Sequence, residues 1–77
     1  MKNKGTVYKD LQPGVVATIY DNYVTEEKVE GDATLIKRIG RDSYGVVNGH
    51  PVERWNVRFL DDGFVGSRFI VNHFKTV

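Results

Sequence analysis

RWNVRFLDDGFVGSRFI, residues 54–70, carries three arginines, one tryptophan, three phenylalanines and two glycines around an acidic turn. Apolar and polar residues alternate through Trp55, Val57 and Phe59, the period of a half-buried strand. Asp61-Asp62-Gly63 then interrupts the alternation with turn chemistry, so the stretch is a β-hairpin. Two registers compete. A two-residue loop at Asp62-Gly63 makes Leu60 face Val65 and Val57 face Arg68, which sets a charge on the tryptophan side. A three-residue loop with Gly63 in the left-handed conformation pairs Phe59 with Val65, Val57 with Ser67 and Trp55 with Phe69. The second register leaves one clean apolar face and gathers Arg54, Asn56, Arg58 and Arg68 on the other. It predicts a core of Trp55, Val57, Phe59, Val65 and Phe69 beneath a surface of arginines.

Outward from the hairpin, apolar residues come in short groups and no window sustains the spacing of an amphipathic helix. Leu11-Gln12-Pro13-Gly14 is a turn leading into a first strand, Val15 to Tyr20. Asp21 to Gly31 is a long polar loop, because Gly31 and the β-branched valines work against the brief helical possibility at Thr25 to Val29. A second strand runs from Asp32 to Ile39 and breaks at Gly40-Arg41-Asp42-Ser43. Gly45 to Pro51 forms a second loop or small hairpin, in which Asn48-Gly49 favours a type I′ turn. A third strand, Val52 to Leu60, and a fourth, Phe64 to Ile70, flank the acidic turn. Residues 1–10 are polar and basic with little to bury and are expected to be a flexible arm. Residues 11–77 make the single domain. Short strands and tight turns predict an all-β, five-stranded small antiparallel barrel rather than an open sheet, which would leave long edges exposed.

Seventy-seven residues allow one domain with little core to spare for an elaborate active site. The chain has no cysteine, hence no disulfide framework and no thiolate metal site. Eleven Lys and Arg against ten Asp and Glu leave a formal charge of +1, so any electrostatic partner must be read from where charges sit. MKNKGTVYK has lysines but no apolar run, which predicts a soluble, cytoplasmic protein without membrane association. His50 and His73 are the only histidines and stand in no motif with Ser43 or Ser67. Asp61 and Asp62 are turn formers rather than metal ligands, and Glu26, Glu27 and Glu30 lie on a solvated loop. We expect no catalytic residue, no metal, no cofactor and no small-molecule ligand.

From Val15 onward the chain resembles a Src-homology-3-like small barrel. ATIYDNY, residues 17–23, is similar to the alanine, aromatic, acidic and tyrosine string that opens that family's first long loop. RWNVRF at 54–59 sits where the family has its tryptophan and the strand leaving it. GFVG at 63–66 resembles the glycines after its distal hairpin, and FIVNHF at 69–74 resembles the short 3₁₀ turn before its last strand. The resemblance implies a barrel whose aromatic groove takes proline-rich peptides. Here Val71 and Phe74 stand where that groove wants proline and tyrosine, and Trp55 is one aromatic instead of a pair. The corresponding ledge would be Tyr20, Tyr23, Trp55 and Phe74, and Trp55 is assigned to it or to the core, not both.

What remains is a non-enzymatic binding module. A protein-contact surface would use Tyr20, Tyr23 and Tyr44 with the acidic loop residues Glu26, Glu27 and Glu30, since tyrosine offers large area at low entropic cost. Such a module would suit an accessory or modulator protein of a bacterium or bacteriophage, a step taken by analogy. The alternative is nucleic-acid binding by Arg54, Arg58 and Arg68 on the hairpin with Lys37, Arg38 and Arg41 from the second strand and its loop. Lys2, Lys4 and Lys9 of the arm would add phosphate contacts. The bland counterpart of both surfaces is a polar face turned to water.

Overall fold

A computed structural model of the protein describes residues 10–77. Five strands follow one another: β1 (Val16–Tyr20), β2 (Val29–Arg38), β3 (Val46–Val47), β4 (His50–Phe59) and β5 (Val65–Val71). The described residues contain no helix, and none therefore long and apolar enough to cross a membrane. The expected arm lies outside the described residues except for Asp10, which is half-buried and anchored to the C-terminal segment.

All pairings are antiparallel and belong to one open sheet. β4 is its centre. Trp55–Phe59 pair with β2, His50 and Pro51 with the short β3, and Val52–Arg58 with β5 along the other edge. β1 pairs with β2 at one end, and β5 forms the opposite end. Two irregularities, at Ile19/Tyr20 and Leu35/Lys37, bend the ladder. The concave side buries Leu11, Val15, Ile19, Ala33, Leu35, Trp55, Val57, Phe59 and Ile70 in one cluster. Trp55 is 3% exposed, which places it in the core and removes it from any ledge.

The small hairpin forms as expected: Asn48 and Gly49 both have positive φ and join β3 to β4. The loop expected over 21–31 is shorter, 21–28, because β2 begins at Val29; it holds a single turn closed by the Glu26 amide on the Asn22 carbonyl (2.8 Å), and Asn22 Oδ1 accepts from the Val24 and Thr25 amides.

The main hairpin is shifted by one residue from the expected register. Trp55 faces Arg68, Val57 faces Gly66 and Arg58 faces Val65. The loop has four residues, Leu60 to Gly63, closed by Phe59 and Phe64: the Phe59 amide donates to the Phe64 carbonyl at 2.9 Å. Gly63 does adopt the left-handed conformation, φ 73°. The physical reason for the longer loop is across the sheet, where the Leu60 amide donates to the Asp32 carbonyl. Leu60 is thereby unavailable to close a three-residue loop against Phe64. The consequence falls on three predicted positions. Val65 (49% exposed) and Phe69 (38%) leave the core for the arginine face, and Arg68 crosses to the tryptophan face. There Arg68 passes over Gly66, where a Cβ would come within 2.7 Å of the Phe64 ring, and its guanidinium lies 5.3 Å from the Phe59 centroid.

Beyond β5 a single turn at 73–74, closed by the Lys75 amide on the Asn72 carbonyl (3.3 Å), stands where the short 3₁₀ turn is expected, but no last strand follows it and 75–77 have no regular structure. This segment is tied down by a buried polar network. Asn72, fully buried, donates through Nδ2 to Glu53 Oε2 (2.8 Å) and Asp10 Oδ1 (2.6 Å), while Trp55 Nε1 donates to Glu53 Oε1 (2.8 Å). Lys75 completes it by pairing with Asp10 at 3.0 Å.

Candidate functional site

Paired residues of neighbouring strands share a face. On the convex face Arg58 stands between Thr34 of β2 and Val65 of β5, Asn56 between Lys37 and Ser67, and Arg54 beside Phe69. Lys37 reaches this face through the irregularity beside Leu35. Regular pairing would put Ile36 opposite Asn56, and the extra residue hands that place to Lys37. Arg54, Arg58 and Lys37 of the predicted basic surface thus come together. Arg38 and Arg68 do not: both pair with Trp55 across the ladder, on the other face, and both are held by acids.

At one end of this face Phe69 lies between two tyrosines. Its ring centroid is 5.5 Å from Tyr23 and 5.3 Å from Tyr44, with interplanar angles of 40° and 67°. Tyr23 arrives on the loop following β1, at the turn that Asn22 holds. Tyr44 is fixed by the Gly40–Gly45 loop: its amide donates to the Val52 carbonyl, and its hydroxyl accepts from the Arg41 amide at 3.0 Å. That hydroxyl sits where a Cβ on residue 40 would be, so glycine is required there. Arg54 lies over the Phe69 ring at 5.8 Å and donates to Ser67 Oγ; Arg41 lies over Tyr44 at 5.9 Å.

The cations of the fold divide into paired and unpaired, and one acid, Asp32, two residues before Thr34 in β2, shares the Arg58 face. Lys28, Arg38, Arg68 and Lys75 pair with Asp21, Asp42, Glu30 and Asp10, and Glu26 pairs with His73. Among the described residues Lys37, Arg41, Arg54 and Arg58 form no ion pair, and residues 1–9 contain no acid to supply one. The acids left over include Asp32, Asp61 and Asp62, which border a cleft of about 490 Å³ floored by Phe59 and Phe64 at the hairpin tip. The Arg68–Glu30 pair stands beside it, bidentate at 2.7 and 2.9 Å. Hydrogen bonds from Arg68 hold the Glu30 carboxyl below its ordinary 4.5, and Glu30 raises Arg68 in turn. At Asp10, burial pushes the carboxyl upward, but hydrogen bonds from Asn72, Lys75 and Leu11 outweigh it and leave the group lowered.

The predicted protein-contact residues are divided. Tyr23 and Tyr44 join the aromatic row, Glu26 and Glu30 are internally paired, Glu27 is exposed, and Tyr20 is half-buried in β1. The ledge implied by the family resemblance does not assemble, because Trp55 is buried and Phe74 lines a separate groove with Leu11 and Val15. Both histidines are hydrogen-bonded, His50 to the Lys75 carbonyl and His73 to Glu26. Phe69 is the residue that sequence reasoning assigned to the core; its signal lay in alternation with Ser67 and Val65, masked by the register. The chain matches no protein-family model, no curated protein and no solved structure.

Proposed function

We propose that the chain is a Src-homology-3-like small barrel acting as a non-enzymatic binding module, and that the convex face of β2, β4 and β5 holds a nucleic acid. The antiparallel succession β1-β2-β4-β5, the long loop after β1 and the bends at both irregularities support the barrel. One observation carries the partner: among the described residues Lys37, Arg41, Arg54 and Arg58 are unpaired, three of them on one face, while four of the ten acids are held by Lys or Arg and Glu53 is buried. Net charge of +1 hides this local excess. Arginine's planar fork suits bidentate phosphate contact, and Asn56 and Ser67 offer polar groups on the same face.

Fluorescence anisotropy with labelled oligonucleotides over a salt series tests the reading. Four phosphate contacts give a slope of log K against log salt between roughly −3 and −4. The triple variant Lys37→Ala/Arg54→Ala/Arg58→Ala should flatten it by about 2 to 3. Absence of binding to any oligonucleotide at low ionic strength overturns the reading, and a protein partner contacting Tyr23 and Tyr44 then takes its place.

A further inference from the structure

We infer that the nucleic acid is single-stranded and that its bases stack on the Phe69 platform between Tyr23 and Tyr44. The inference rests on the polyanion reading of the same face and adds the form of the ligand. A duplex hides the faces of its bases, and reading it takes an element that enters a groove about 12 Å wide. The unpaired cations of β2 and β4 lie on the face of a sheet whose central strand is flanked by β2 and β5, not on a free two-stranded ribbon, and the described residues supply no helix to project from it. A single strand asks for the opposite arrangement, a charged track for the backbone beside exposed rings for the bases.

The aromatic row meets that demand in its details. Phe69 is 38% exposed although it is a phenylalanine at a strand position flanked by Ser67 and Arg54. The two tyrosines meet it tilted and edge-on, so neither lies flat against its face. Arg54 connects the row to the track: its guanidinium reaches both the Phe69 ring and Ser67 Oγ, with Asn56 paired to Ser67. A base over Phe69 therefore places its sugar-phosphate within reach of the same arginine. The contrary view, that the three rings only pack two loops onto the sheet, predicts a loss of stability from their removal and no effect on ligand choice.

The experiment compares one sequence as single strand and as hairpin duplex, in DNA and RNA, at one ionic strength. The wild type should bind the single strand at least about tenfold tighter than the duplex. Phe69→Leu, which keeps an apolar group over the sheet, should lose about ten- to hundredfold in single-strand affinity while the salt slope stays put. Phe69→Trp should restore the affinity, and a melting curve of each variant separates binding from folding. Equal affinity for the two forms, or an unchanged preference in folded Phe69→Leu, overturns the stacking inference and leaves the polyanion reading standing. Failure of both forms to bind overturns the polyanion reading and the inference with it.

Discussion

Asn72 shows how one side chain can carry an arrangement that no local rule requires. Its amide group satisfies Glu53 and Asp10 at once, and its Oδ1 accepts from the Phe74 amide. Replacing it takes one donor from each of two carboxyl groups, one of them in Glu53, a buried residue left with Trp55 Nε1 alone. Asn72→Leu should therefore lower the free energy of unfolding by about 2 to 4 kcal/mol in urea titration, a larger loss than its volume alone explains. Sequence made other residues legible at this scale. Trp55, Val57 and Phe59 announced burial by alternation, and Asn48-Gly49 announced its turn. Tyr44 did not announce its place, since that depends on a carbonyl of β4 and an amide of Arg41 meeting it from different parts of the chain.

At the scale of elements, the hairpin was legible as a hairpin and its register was not. The deciding bond joins Leu60 to Asp32, an acceptor on β2 that no inspection of residues 54–70 could supply. A shift of one residue exchanged Phe69 and Arg68 between faces, so the core and the site were misread together. Arg68 is accommodated because β2 begins at Val29 and brings Glu30 to it, joining β2 to β5 across β4's end. This link has a definite pH signature. Glu30 titrates lower in the folded protein than in the unfolded chain, so its contribution is complete above about pH 5 and fades as pH falls through and below 4.5. Unfolding free energies of wild type and Glu30→Gln should differ by about 1 kcal/mol at neutral pH and converge as pH is lowered well below 4.5.

For the whole molecule, the spacing of apolar residues and turns made the all-β class legible, and composition concealed the electrostatics. A balance of eleven cations and ten anions is compatible with an even surface. The fold instead pairs Lys28, Arg38, Arg68 and Lys75 and leaves Lys37, Arg54 and Arg58 together. That sorting depends on which strands become neighbours, and an extra residue beside Leu35 is enough to move Lys37 from one face to the other.

The contact between Asp10 and Asn72 spans 62 residues of chain. Closing so long a loop is entropically slow to be rewarded, so β1, β2, β4 and β5 will have assembled through their shorter connections before these two meet. The joint is then the last to form and the first to open. Native-state hydrogen exchange should find the Leu11 and Asn72 amides released by a local opening well below the global unfolding energy, while the Leu35 and Phe59 amides exchange only with the whole sheet. In time as well as in space, this molecule is a β-meander fastened by a separate clasp.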